Sequence, residues 1–378
     1  MKSKTLRKTI EVNSPGRINL IGEHIDYNGG LVLPAAINLR IRLSLKKNYT
    51  DTISVWSEDY KKGFKLNLKS IAPSNQQWEN YIAGVLFLID KVVPNKLEGF
   101  DCFITSKLPM GSGISSSAAL ECGIAKGVNA LFNLDLSDEE LIGIAQQAEH
   151  SFVGTNCGVM DQYAVIKGVE NGFLLLNCNE HRHTIIPSNL GAHKIVLLNT
   201  NVSHNLSTSE YNLRRKECNL ALKKIQEVYP EYLFLADVPK SVLLKFKTKM
   251  AVHLFKRATY VIEENHRVKK AAKALKKEAL RNLGNLMYES HKGLKELYEV
   301  SCAELDFLVD FSKTSENVIG SRMMGGGFGG CTINLVHKDY ASEFINTASK
   351  AYKQEFNIEL TPTIVKIGNG VTVHEYEN

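Results

Sequence analysis

Near the start of the 378-residue chain, Arg17, Glu23, His24 and Asp26 stand within ten residues of one another, among the turn-forming glycines of SPGRINLIGEHIDYNGG (14–30). Fixed carboxylates accept from hydroxyl groups, and a fixed set of acceptors rejects stereoisomers that leave one unpaired. The segment therefore suits a hydroxyl-rich ligand. Glu23, His24 and Asp26 could also ligate zinc, but the spacing is not H-E-x-x-H and no second histidine lies nearby, which disfavours a metal. A second segment, LPMGSGISSSAAL (108–120), follows a strand-like stretch and precedes a helix-compatible one. Its glycines let a backbone approach a ligand closely, and a helix N-terminus offers unpaired N–H groups and a positive dipole end. Three serines add hydroxyl donors or a metal ligand, so the turn reads as a phosphate cradle; the plainer reading is a loop that caps a helix with Ser115 or Ser116. It is no Walker loop, because the chain has no Gly-Lys dipeptide, and Pro109 stands where a nucleophile elbow needs glycine. In the third segment, MMGGGFGG (323–330), Gly325, Gly327 and Gly330 match G-x-G-x-x-G. The strand-like residues 331–336 that follow reject a dinucleotide fold, whose fingerprint must open a helix. A tight glycine turn or a backbone wall around a ligand remains.

The elements that position these segments read as α+β. Alternation at 37–45 (INLRIRLSL) and the runs at 99–106, 194–199, 331–336 and 363–367 predict strands. Ser137 with Glu140 forms a capping-box spacing ahead of an amphipathic helix that runs to about Phe152. Helical spacing continues over 207–229 and 258–298, where Lys269, Lys270, Lys273, Lys276 and Lys277 read as a solvated face. At roughly 150 residues per domain the length fits one large domain or two ordinary ones. The punctuation Pro187-Ser188-Asn189 and Gly191 predicts a boundary that divides the chain into 1–190 and 191–378. With 44% hydrophobic and 23% charged residues, a sizeable core needs no staples. No apolar run approaches the ~18 residues of a membrane helix, and the basic start runs into no apolar signal region. Seven cysteines without a C-x-x-C pair read as reduced thiols in a cytoplasmic protein. A dispersed net charge of +6 gives no reason to expect a nucleic-acid partner.

Taken together the segments resemble the GHMP small-molecule kinases, and within them the galactokinases. GRINLIGEHIDYNGGLVLP (16–34) is similar to the galactokinase signature, LPMGSGISSSAALE (108–121) to the family's ATP loop and RMMGGGFGGCTINLV (322–336) to its glycine-rich third motif. GVMDQYAV (158–165) and SEYNLRR (209–215) also match galactokinase patterns. The resemblance implies two domains, the second ferredoxin-like, with the active site between them. It implies Asp161 as catalytic base and Arg17 as the arginine that pairs with it and stabilises the transition state. Glu23, His24, Asp26, Tyr211 and Gly158 fall on sugar-binding positions. Gly111, Ser112, Gly113, Ile114, Ser115, Ser116 and Ser117 fall on the nucleotide loop, with Trp78 beside adenine and Ser57 a further nucleotide contact. Ser117 and Glu149 fall on the magnesium positions.

The implied activity is phosphorylation of the anomeric hydroxyl of α-D-galactose by ATP with Mg2+. A sister kinase acting on N-acetylgalactosamine or L-arabinose stays open as an alternative, as does a non-catalytic galactose and ATP sensor. Singly, each residue has a blander reading: Arg17 and Asp161 a structural ion pair, Glu149 a surface charge, Trp78 a core aromatic, Tyr211 half-buried packing, His24 a structural histidine. Their joint spacing favours the site. Two departures stand out. Only 16 residues precede Arg17, so a lead-in present in many relatives is expected to be missing, and Ser203 replaces a basic residue that many relatives carry. Oligomeric state is not legible; a monomer is the simpler reading.

Overall fold

Alternation over residues 37–45 places Ile41, Leu43 and Leu45 inward while Arg42 faces solvent, in a strand that runs from Pro34 to Lys47. Losing a side chain such as Leu43 from this core would cost about 2–5 kcal/mol. The computed structural model describes residues 8–109, 113–203 and 207–377. In chain order the first half holds β1 (Lys8–Asn19), β2 (Leu31–Val32), β3 (Pro34–Lys47), β4 (Thr52–Ser57), β5 (Lys62–Asn67), α1 (Gln77–Val92), β6 (Phe100–Ser106), α2 (Ser116–Phe132), α3 (Asp138–Ala148), α4 (Met160–Lys167), β7 (Gly172–Asn177) and β8 (Arg182–Pro187). The second holds β9 (His193–Ser203), α5 (Ser207–Gln226), α6 (Lys240–Leu244), α7 (Val252–Lys276), α8 (Leu280–Gly293), α9 (Ala303–Lys313), β10 (Val318–Met324), β11 (Gly329–His337), α10 (Ala341–Phe356), β12 (Thr361–Val365) and β13 (Thr372–Glu377).

The first sheet has the order β13-β1-β3-β6-β4-β5 and is mixed, since β4 runs parallel to β6 while its other pairs are antiparallel. Helix α2 lies against β1 and β3. Gly123 lets it come close: a methyl there would fall 2.7 Å from Leu43 Cδ1. A small sheet, β2-β7-β8, sits beside the first. The second large sheet, β10-β11-β9-β12, is antiparallel, and α9 and α10 pack on it. Its chain order, β9, then helices, β10, β11, α10, β12, with β9 and β11 central, is the ferredoxin-like split βαβ arrangement expected of the second half. The last strand, β13, returns to pair with β1.

Both halves share one core. Ile18 and Leu43 belong to the same buried cluster as Val261, Met287 and Ile333, and a second cluster around Leu308, Phe344 and Tyr352 lies under α9 and α10. The capping box at Ser137 and Glu140 forms as expected. The helical stretch read at 258–298 is two helices: α7 begins earlier, at Val252, and the chain turns at Glu278, which adopts φ +54°. Among the described residues no helix is long and apolar enough to cross a membrane.

The loop after β1 is gripped by the second half. Glu264 of α7 accepts from the Gly22 N–H (3.0 Å), Asn265 Oδ1 from the Leu31 N–H (2.9 Å), and the Tyr260 hydroxyl donates to the Glu23 carbonyl (2.9 Å). From β10, Arg322 reaches Glu23 Oε1 at 3.1 Å with neither side chain open to water. The residues of the first motif are thereby held in place by elements some 240 to 300 positions away.

Candidate active site

Past a bulge in β1, Arg17 turns its guanidinium toward the first turn of α4. Its Nε donates to Asp161 Oδ1 at 2.7 Å and its Nη2 to Asp161 Oδ2 at 2.9 Å, the two-pronged match of a planar fork to a carboxylate. Nη1 donates to the Gly113 carbonyl at 2.6 Å, and the Arg17 N–H donates to the Ile114 carbonyl at 3.0 Å, so the turn before α2 is stitched to the same strand. The Ser115 hydroxyl donates to Asp161 Oδ2. Ser115 precedes α2 in the left-handed region (φ +56°) and makes no side-chain cap bond. The helix-capping reading of Ser115 is therefore replaced: its hydroxyl orients the aspartate, and the N-terminus of α2 is left uncapped by that side chain, free to meet an anion.

Arg17 and Asp161 form a wall shared by two cavities, together with Gly325 and Gly326. The smaller, about 110 Å³, is lined also by Glu23, His24, Asp26, Glu149, Thr155, Cys157, Met160 and Tyr211. Glu23 accepts from Asn19 Nδ2 (2.9 Å), from Arg322 and from the Gly325 N–H (2.8 Å), so its carboxylate is held rigid. Burial, with repulsion from Asp161, pushes the Asp26 carboxyl up to about 7. Gly158 packs directly on Asp26; a methyl there would fall 2.1 Å from Oδ2. Tyr211 stands 5.1 Å from the His24 ring, edge-on to Tyr27 at 5.5 Å.

His24 is engaged on both ring nitrogens: Nε2 meets the Gly326 carbonyl at 3.0 Å and Nδ1 meets the Tyr27 hydroxyl at 2.7 Å. A carbonyl only accepts, so Nε2 carries the hydrogen and the Tyr27 hydroxyl donates to Nδ1. Tyr298 lies behind Tyr27 at 2.8 Å. Burial pushes the His24 imidazole down to about 4, in keeping with this neutral tautomer. His24 thus lines the cavity but spends its ring nitrogens on the glycine turn and the tyrosine pair.

The larger cavity, about 560 Å³, is lined by Gly113, Ser115, Ser116 and Ser117 at the start of α2 and by Tyr60, Gln76, Gln77, Trp78 and Tyr81. Trp78 stacks on Tyr60 at 5.4 Å and meets Phe64 edge-on. Ser57 stands one step back, buried, its hydroxyl accepting from the Tyr60 N–H at 3.4 Å. The glycine turns meet here: Gly325 adopts φ +86°, and a methyl on it would lie 3.2 Å from the Gly113 carbonyl. Ile114 is buried behind the turn. Gly111, Ser112 and the side chain of Ser203 lie outside what is described.

Glu149 opens a wide π turn (Glu149–Val153) that ends α3, a distortion that aims its carboxylate into the cleft. Gln162 Nε2 donates to it at 3.1 Å and the Ser117 hydroxyl also bonds to it. Burial, then Asp161, pushes this carboxyl up to about 7. Among the described residues no group of three or more His, Cys, Asp or Glu is placed to hold a metal. Sequence reading assigned no site role to Thr155, Cys157, Tyr60 or Tyr81, nor to Met160 and Arg322, although these two stand inside the 158–165 and 322–336 motifs.

Three family models match the chain: "Galactokinase galactose-binding signature" over residues 4–47, "GHMP kinases N terminal domain" over 80–169 and "GHMP kinases C terminal" over 271–354. A galactokinase of Thermotoga petrophila is 38% identical over 366 residues, covering 96% of this chain and 99% of the relative. One of Clostridium tetani is 42% identical over 345 residues, covering 90% and 87%. Among solved structures, Lactococcus lactis galactokinase complexed with galactose is similar with a TM-score of 0.93 at 33% identity, covering 96% and 95%. A Methanococcus jannaschii mevalonate kinase, 20% identical with a TM-score of 0.66 and covering 97% and 100%, shares the fold.

Proposed function

We propose, from the premise that this chain belongs to the galactokinases of the GHMP kinase family, that its two joined cavities are the sugar and nucleotide halves of one active site. The chain is an enzyme that phosphorylates galactose at the expense of ATP. The observation that carries the assignment of roles is the Arg17–Asp161 couple in the wall that both cavities share.

In this reading galactose occupies the smaller cavity, with Glu23 and Asp26 accepting from its hydroxyls and Tyr211 and Gly158 shaping the wall. The anomeric oxygen faces Asp161. As that oxygen forms its bond to the γ-phosphorus, the bond from phosphorus to the ADP oxygen breaks, and the hydroxyl proton passes to the Asp161 carboxylate. Arg17 and Ser115 hold the aspartate at two sites, which fixes its direction, and the guanidinium counters charge on the transferring group. The N–H groups at the start of α2 and residues 113–117 cradle the phosphates; for Gly111 and Ser112 the nucleotide role rests on the sequence motif alone. Trp78 flanks the base, with Ser57 supporting from behind through the Tyr60 turn.

The residues at Ser117 and Glu149 fit magnesium: both offer hard oxygen donors, and among the described residues the buried Glu149 carboxyl forms no ion pair, Arg17 acting on it only as a minor influence. An ion held by Ser117 and Glu149 would supply charge neutralisation for the transferring phosphoryl group. The division at 190/191 belongs to the same reading. Sheet membership changes between β8 and β9, which supports it, although β13 crosses back. A monomer working in the cytoplasm completes the proposal.

The test is ADP release over galactose, N-acetylgalactosamine, glucose and L-arabinose, with and without magnesium. Turnover with galactose and magnesium together is expected, with the other sugars at least tenfold poorer. Equal turnover of N-acetylgalactosamine would favour a sister kinase; sugar binding without ADP release would favour a sensor.

A further inference from the structure

Between the π turn and α4 runs an irregular loop, residues 154–158, whose side of the sugar cavity consists of Thr155 and Cys157 and whose last residue packs on Asp26. Helix α5 holds the backbone of this loop with two side chains. Asn212 uses both ends of its amide: Oδ1 accepts from the Asn156 N–H at 3.0 Å, and Nδ2 donates to the Gly154 carbonyl at 2.9 Å. Arg215 Nη1 donates to the Asn156 carbonyl at 2.7 Å and to the Cys157 carbonyl at 3.2 Å. The guanidinium also stands 5.7 Å from the centre of the Tyr27 ring. Among the described residues no carboxylate forms an ion pair with Arg215, whereas its neighbour Arg214 is tied to Glu210 and Glu217. Tyr211 and Arg215 are four residues apart and so share one face of α5, with Asn212 three before Arg215.

We propose that Asn212 and Arg215 are positioning residues that fasten the 154–158 wall to the helix carrying Tyr211 and thereby set the width of the sugar cavity. The inference rests on the reading of that cavity as the sugar site. The clamp touches neither the nucleotide cavity nor Asp161. Losing it loosens the wall at Gly154 to Asn156 relative to Tyr211, and the sugar is held less well; the Cys157 end keeps its carbonyl bonds to His150 (2.8 Å) and Gln146 (3.3 Å) and its thiol bond to Glu149 Oε2 (3.6 Å), so the phosphoryl side is disturbed least. Because the loop's carbonyls are close to water, the freed groups are rehydrated at little cost to folding.

The experiment is steady-state kinetics on Arg215→Ala, Asn212→Ala and Arg215→Lys, with galactose affinity measured separately by calorimetry. Both alanine variants should raise the galactose KM at least tenfold, with kcat and the ATP KM within threefold of wild type. Arg215→Lys, which keeps one donor for the Asn156 carbonyl, should recover most of the loss. A galactose KM within threefold of wild type in both alanine variants overturns the proposal. So does an equal rise in the ATP KM, the mark of a general structural defect. If Arg215→Ala does not fold, Asn212→Ala is judged by the same figures. Wild-type protein that releases no ADP with galactose refutes the functional reading itself; the clamp then stands or falls on whether Asn212→Ala weakens galactose binding tenfold in the calorimeter.

Discussion

Replacing Arg322 by methionine removes the strongest single tie between the first and third motifs. The guanidinium is fully buried and donates to the Leu20 carbonyl (2.9 Å), the Asn19 carbonyl (2.5 Å), the Met323 carbonyl (2.5 Å) and Glu23 Oε1 (3.1 Å). Methionine fills much of the volume but offers no donor, so Glu23 keeps a buried charge with its cation gone. Breaking one side of a buried pair costs about 3–5 kcal/mol, and the stranded carbonyls place this variant toward the upper end. Total stability of a folded domain is about 5–15 kcal/mol, so the variant should remain folded but marginal. Urea unfolding followed by Trp56 and Trp78 fluorescence measures the loss, and calorimetry should show galactose binding weakened as the Glu23 geometry relaxes. Adding Glu23→Gln should restore part of the stability, because a neutral amide leaves no unpaired charge. A loss under about 1 kcal/mol, the scale of an ordinary surface change, would refute the reasoning.

Other perturbations test separate parts of the site. Asp26, whose ordinary value is 3.8, is pushed up to about 7 by burial and by Asp161. A raised carboxyl stabilises the folded chain while protonated, so this contribution is full below its unfolded value and is lost as pH rises through about 7. Thermal midpoints without ligands should therefore fall more steeply between pH 5 and 8 in wild type than in Asp26→Asn; parallel curves would contradict this. Ser115→Ala removes a hydroxyl that serves Asp161 and caps no helix, so kcat should fall about tenfold or more, a loss of ~1.5 kcal/mol or above, with the unfolding midpoint unchanged. Gly325→Ala forces a side chain into the left-handed region at φ +86° against the Gly113 carbonyl; about 1–2 kcal/mol of stability and a raised ATP KM are expected in unfolding and kinetic assays.

Local patterning in the sequence carried much of the fold. Period-two alternation located β3, and the Ser137–Glu140 spacing located the start of α3, because both signals arise from residues within one turn or strand of each other. The break at Glu278 was hidden: nothing in its side chain announces a left-handed turn, and helical spacing resumes at once. At the site, Arg17, Asp161 and Ser117 were legible through motifs. Ser115 was legible as a polar residue at a helix start, but its partner, Asp161, is 46 positions away. The supports of the smaller cavity were least visible. Arg322 and Glu264 meet the first motif across long separations, Tyr27 and Tyr298 meet 271 residues apart, and Asn212 acts through another segment's backbone. Such pairings depend on how α5, α7 and β10 pack against the first half, which no local spacing encodes.

Asp161→Asn keeps the shape of the side chain and removes its capacity to take the sugar proton, so kcat with galactose, ATP and magnesium is the measurement closest to the central claim. A fall of about 10²–10⁴-fold is expected, with nucleotide and galactose affinities changed by much less. Turnover within a few fold of wild type would contradict the assignment of Asp161 as the base between the two cavities.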